Sequence, residues 1–281
     1  MGMLSINTNV GALRAADAAY SVNKSMETSM QRLSTGKRIN SAIDDAAGLQ
    51  ISNRQEAEIR GFRQAAKNAA DAQSLFATQE GALEEIHNLL QRLRELAVQS
   101  ANGTLLTADR TALATEANAL EAEINRISDD TTWAGQQILD GSTFSAGVTF
   151  HIGPDASDTI SHTVPNMSST AGSMDLGSKD VTTQSNATTY ITTIDGVINN
   201  VLSERQQLGA VMNRLDYTMA NLSQMATNLS VAMGRIMDAD FAAESANLAR
   251  TQVLQQASMS MLAQANASKQ NICLLYTSPS P

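Results

Sequence analysis

Few side chains in this 281-residue chain have the type and spacing that catalysis or metal binding would need. His87, His151 and His162 are scattered, and none stands at ligand spacing from a cysteine or a carboxylate. His87 lies in a helical pattern and reads as a surface residue. Asp44-Asp45 could serve as paired acids, but they precede a helical stretch, where capping explains them better. Glu84-Glu85 and Glu121 with Glu123 read as solvated helix faces. Neither GxxxxGK[ST] nor a GxGxxG after a strand occurs, and no nucleophile stands beside a base. The expectation is a chain with no catalytic residues, no cofactor and no metal, and so not an enzyme.

Composition narrows the partners. Asp plus Glu number 28 against 19 Lys plus Arg, a net charge of −9, which repels phosphate backbones and argues against nucleic acid. No apolar stretch approaches the ~20 residues that span a bilayer, so no membrane insertion is expected. The opening MGMLSINTNV lacks the basic-then-apolar build of a cleaved signal peptide, and composition alone would read as cytoplasmic. Aromatic residues make up only 4%, while small and flexible side chains abound. Such a mixture suits long helices packed at close range rather than a deep jigsaw core. Cys273 is the single cysteine, which excludes an intrachain disulfide. It opens CLLYTSPSP, where the helical pattern stops. Residues 273–281 therefore read as foreign to the rest, and Cys273 as carrying no function.

The elements follow from periodicity. Leu208, Met212, Leu215, Met219, Leu222, Ala226, Leu229, Met233 and Ile236 alternate in steps of four and three, the seam of a long packed helix. A second run joins Phe62, Ala65, Ala69, Ala72, Phe76, Gln79, Leu83, Ile86, Leu90, Leu93 and Ala97, with Gln79 as its one polar member. A third comprises Leu113, Ala117, Leu120, Ile124 and Ile127, separated from the second by Asn102-Gly103, a strong turn signal. Three seams predict an antiparallel bundle with a small-residue core. Thr8 or Asn9 can cap an earlier helix that carries Met26, Met30 and Leu33 and ends near Gly36. Asn40 to Ala46 reads as a non-helical link, with Asp44 or Asp45 capping the next helix.

The middle differs. Val148, Phe150 and Ile152 alternate with polar residues, Gly153-Pro154-Asp155 is turn chemistry, and Thr159 to Val164 can return as a second strand. Met167 to Thr189 reads as a polar linker with little to bury, and a final helix restarts near Tyr190. The single tryptophan, Trp133, reads as packed at the bundle end. The fold class expected is mainly α: an elongated antiparallel helical bundle or coiled coil built from both chain ends, with one small β-hairpin.

Three blocks resemble the bacterial flagellins: INTNVGALRA…SMQRLSTGKRINSAIDDAAGLQIS over 6–52, LLQRLRELAVQSANGT over 89–104, and the stretch from LGAVMNRLDYTMANLSQ to QANASKQN over 208–271. The resemblance implies a terminal helical pair, 1–44 with 238–272, lining a filament channel, and a surrounding bundle, 45–237, with a hairpin and linker at about 141–189. It implies a short, core-only subunit that polymerises into an extracellular filament for motility. It makes the seam of Leu208, Met212, Leu215, Met219, Leu222, Leu229, Met233 and Ile236 a candidate filament packing surface. It also implies export unfolded through the flagellar type III apparatus, partners among export chaperone, cap and junction proteins, and recognition by the vertebrate Toll-like receptor that senses flagellin. The receptor residues map onto Arg92, Leu96 and Glu116, which read on physical grounds alone as a solvated face beside a partly buried leucine. The family's apolar helical tail is replaced here after Ile272, and MGM stands where a single Met is usual.

Two other classes remain in view. A hook–filament junction protein shares the helical ends, but RINSAIDDAAGLQIS and DADFAAESANLAR are closer to filament subunits. A surface polysaccharide-binding adhesin would need aromatic platforms that this chain scarcely has. The stretches Ile6 to Leu33 and Phe241 to Leu262 hold so little apolar surface that they should be marginal as isolated helices and order on polymerisation.

Overall fold

Asn9 starts the first helix by accepting a hydrogen bond from Ala12 N–H at 3.1 Å, which satisfies one of the free donors of the first turn. This helix, α1, runs Val10–Thr35 and stops at Gly36, whose φ of 69° admits the left-handed cap. A computed structural model of the chain describes residues 8–141, 147–169, 174–177 and 181–277, with side chains up to Ser268. Asp45 begins α2, Ala46–Ser100, by accepting from Gly48 N–H at 2.8 Å. Asp44 instead closes the link before it, its carboxylate accepting from the N–H groups of Asn40 and Ser41. Then come α3 (Thr107–Asp130), α4 (Gln184–Met237) and α5 (Phe241–Thr277), the last capped by Asp240 through Ala242 N–H and Ala243 N–H. The described residues are thus mainly α, as the seams predict.

The chain gathers into two compact units, Met1–Ala57 with Leu229–Pro281, and Glu58–Asn228. In the first, α1 packs antiparallel on α5. Asn9 Nδ2 donates to the Ala265 carbonyl at 3.2 Å, Gln255 Nε2 to Asn23 at 2.8 Å, and Arg32 stands 3.9 Å from Glu244. The breaks that follow α1 and α4 are stitched together: Arg38 N–H donates to the Met237 carbonyl, and Ala239 N–H to that of Gly36.

In the second unit, α2, α3 and α4 share one core with the hairpin. Strands β3 (Val148–His151) and β4 (Thr159–His162) pair antiparallel, with Phe150 opposite Ile160. Ile160 and His162 point inward, and the Phe150 ring meets Phe76 edge-on at 5.5 Å.

Several expectations are corrected. A second, shorter hairpin joins β1 (Thr132–Trp133) to β2 (Gln136–Gln137). Its turn lacks an Asn-Gly or Asp-Gly signal because Ala134 itself takes φ 50° before Gly135 at 81°. Trp133, on β1, is half-buried against the core. The core is not mainly small residues: Phe76, Leu83, Ile86, Leu90, Leu93 and Ile124 are fully buried. The tract Met167 to Thr189 is no empty linker either. Met167, Met174, Leu176 and Val181 are fully buried, spaced too irregularly to give a period. Glu121 is not a solvated face, since only 2% of it is exposed. Finally, α5 does not stop at Cys273 but continues to Thr277.

Candidate assembly surface

The two units divide apolar surface in opposite ways. The bundle unit buries nearly all the large apolar side chains of the core, whereas α1 buries only Ala19 and Ser29. Among the described side chains of α5, Glu244 and Thr251 are the buried ones. Meanwhile α1 exposes Leu13 (57%), Tyr20 (73%) and Met30 (51%), and α5 exposes Phe241 (70%), Val253 (66%) and Met261 (66%). Exposed bulky apolar groups in this number are uncommon on a monomeric protein, which makes these faces candidate contact surfaces.

The Leu208–Ile236 seam splits. Leu208, Leu215 and Leu222 are buried, and Met212 and Met219 pack against the bundle core from half-buried positions. Leu229, Met233 and Ile236 are half-buried in the terminal unit. The first five residues therefore spend their apolar surface inside the subunit's own fold.

Arg92, Leu96 and Glu116 are brought to one place. Arg92 Nη2 reaches Glu116 Oε1 at 2.7 Å, and Nη1 reaches Glu95 at 3.0 Å. Hydrogen bonding to Glu116 first and to Glu95 second raises the guanidinium above its usual range. Leu96 is 1% exposed and belongs to the core beneath.

Buried polar pairs occur that no spacing rule could find, because their members lie far apart in sequence. His162 Nε2 stands 3.1 Å from Glu204 Oε1, and the imidazole meets Phe76 edge-on. Tyr190 donates its hydroxyl to Glu121; burial and that bond push the phenol far above its ordinary value, so it stays a donor. His87 and His151 join neither pair: His87 is half-buried and His151 exposed. Among the described residues no group of three or more His, Cys, Asp or Glu is placed to hold a metal ion, and no helix is long and apolar enough to cross a membrane.

Known proteins decide what this arrangement belongs to. The profile of the bacterial flagellin N-terminal helical region matches residues 6–143, and that of the C-terminal helical region matches 191–275. This chain belongs to the bacterial flagellin family. It is 41% identical to a flagellin of Halalkalibacterium halodurans over 271 residues, covering 96% of this chain and 98% of that one. It is 36% identical to the flagellar filament 33 kDa core protein of Treponema phagedenis, covering 96% and 99%. A solved structure described as a flagellar hook-associated protein of Vibrio parahaemolyticus matches with a TM-score of 0.59 at 17% identity, over 69% of this chain and all of that one, and shares the fold alone. The protein is thus a short flagellin, a structural subunit of the bacterial flagellar filament that polymerises with copies of itself.

Proposed function

We propose that filament assembly by this flagellin is carried by the outward faces of the terminal helical pair, while the bundle unit supplies a self-sufficient scaffold. One observation supports the reading most: the terminal unit leaves Leu13, Tyr20, Met30, Val253 and Met261 more than half exposed on helices whose buried residues are small or polar, where the bundle unit, although it exposes Leu106 and Tyr217, buries a continuous core of leucine and isoleucine. Covering such faces releases the free energy of apolar burial, at roughly 25 cal/mol per Å². A contact between unlike faces of successive copies does not close on itself and so propagates as a fibre.

The same exposure supports the finer partners. Before assembly these faces would be shielded by an export chaperone with an apolar groove, and the filament would meet cap and junction proteins at its ends. Extracellular placement after type III export agrees with a subunit whose contact faces meet other subunits only at polymerisation. For the flagellin-sensing Toll-like receptor, the Arg92–Glu116 pair is the exposed element; Leu96 would act only by supporting it from below. Filament packing through the seam then falls to Leu229, Met233 and Ile236.

Seeded polymerisation tests the assignment. Leu13→Asp and Met261→Asp should leave the melting of the bundle unit unchanged and abolish elongation on short filament seeds, as seen by electron microscopy. Normal filaments from both variants would remove the terminal faces from the assembly contact.

A further inference from the structure

Asn102-Gly103 is the chain's sole Asn-Gly pair, and it forms the turn between α2 and α3. Both residues are exposed. Gly103 N–H donates to no group among the described residues, so the nitrogen is free to act as a nucleophile. Its electrophile is adjacent. The Asn102 side-chain carbonyl accepts from Thr104 N–H at 3.3 Å, a donor aimed where negative charge develops if Cγ is attacked. The Asn102 main-chain carbonyl is held differently. It accepts from Arg110 Nη2 at 2.7 Å and, more loosely, from Leu105 N–H at 3.4 Å, while Arg110 Nε reaches the Ser100 carbonyl at 3.1 Å. Arg110 is 9% exposed, and its bonds to these two carbonyls place a nearly buried cation on neutral acceptors.

We propose that Asn102 is a self-modification site, deamidating through a succinimide that Arg110 steers toward isoaspartate. In the first step Gly103 N bonds to Asn102 Cγ and gives its proton to solvent. The Cγ–Nδ2 bond breaks, and the nitrogen leaves as ammonia. Water then opens the ring. Addition at Cγ breaks its bond to Gly103 N and leaves ordinary aspartate. Addition at the former main-chain carbon breaks the other bond, routes the chain through Cγ and frees a carboxylate there. Arg110 polarises that second carbon, and the new carboxylate lands beside the guanidinium in place of a neutral carbonyl. A charge-assisted pair replaces a weaker bond. Each event consumes one water and adds one negative charge to the subunit.

Incubating the intact subunit under mildly alkaline conditions, followed by peptide mapping that separates Asn, Asp and isoaspartate, tests both parts. Asn102 should gain about one dalton well ahead of Asn40, which precedes Ser41 in the link before α2. Gly103→Ala should slow the site by about tenfold by crowding the nucleophile. That variant should fold normally, because an added Cβ would meet only the Gln184 side chain, at 3.7 Å. The ratio of isoaspartate to aspartate should be higher in the intact chain than in a synthetic peptide of the same turn, where Arg110 is missing. Equal rates at Asn102 and Asn40, or no slowing in Gly103→Ala, would overturn the site. Equal ratios in chain and peptide would overturn the steering.

Discussion

Replacing Gln79 with methionine should make this protein more stable. Gln79 is fully buried on the α2 seam between Phe76 and Leu83, and neither its Oε1 nor its Nε2 has a hydrogen-bond partner among the described residues. A buried polar group left unpaired costs about 1–3 kcal/mol, because water is lost and nothing replaces it. Methionine has nearly the same volume and flexibility, so it should fill the space without a cavity. The net expectation for Gln79→Met is a gain of about 1–3 kcal/mol. For a unit of this size that corresponds to a rise in melting temperature of roughly 2–12 °C. Circular dichroism melting of the bundle unit within the intact chain reads it directly. A variant that melts lower would refute the reasoning, by showing that the amide contributes an interaction absent from this account.

The obvious objection is that a lone polar residue on a seam fixes helix register. Here other contacts already do so. Gln73 bonds to Asp216 at 2.8 Å, Glu80 to Arg205 at 2.7 Å and Arg94 to Asp195 at 2.6 Å, all between α2 and α4. Each such partly exposed contact is weak on its own, because solvent screens it. A slipped register would break all three and expose Leu208 and Leu215 as well. The variant should therefore keep its register as it gains stability.

Phe76→Ala should cost about 3–5 kcal/mol in denaturant unfolding, since the ring is fully buried against Phe150 and His162; a loss under 1 kcal/mol would contradict that packing. Asp44 should titrate below the ordinary aspartate value of about 3.9, held down chiefly by the N–H of Ser41 and then that of Asn40. Its pKa is depressed in the fold, so its contribution is present above the unfolded value and lost as pH falls through the folded one. Carboxyl NMR titration checks the midpoint, and a value at or above that of free aspartate would contradict the hydrogen bonds by which Asp44 closes the link. Arg92→Ala should leave the unfolding midpoint nearly unchanged in denaturant titration, because its pairs with Glu116 and Glu95 are half-exposed and screened by solvent. Amide exchange in the free subunit should be faster along α1 and α5 than along the buried stretches of α2 and α4; equal protection would argue against ordering on assembly.

Helices were legible in the sequence because their apolar residues repeat. The seams from Phe62 to Ala97 and from Leu208 to Ile236 both lie within long helices, α2 and α4. The hairpin was legible for the same reason, since Val148, Phe150 and Ile152 alternate before a Gly-Pro-Asp turn. What escaped had no period. Met167, Met174, Leu176 and Val181 are buried one at a time in a polar tract, so composition hid them. Glu121 was misjudged because its partner, Tyr190, lies 69 residues away on another helix. The division of the seam was equally invisible: a heptad pattern states that a face is covered, not by whose atoms.

That division explains how one chain can be both a stable subunit and an assembling one. Burying a large apolar side chain returns about 1.5–3 kcal/mol, while ordering each residue of backbone costs about 1–2 kcal/mol. In the bundle unit Leu83, Ile86, Leu90, Leu93, Ile124, Leu208 and Leu215 converge from α2, α3 and α4, so the cost is met within the subunit. On α1, 26 residues are ordered while the only buried side chains are Ala19 and Ser29. Nothing that small offsets the loss of entropy, and the bulky apolar groups that would offset it, Leu13, Tyr20 and Met30, face outward. On the proposed reading neighbouring copies supply the missing burial, which would couple the folding of the chain ends to growth of the filament. Improving the α1–α5 contact within one subunit would weaken that coupling, and a terminal pair made stable by itself should assemble with less dependence on its neighbours.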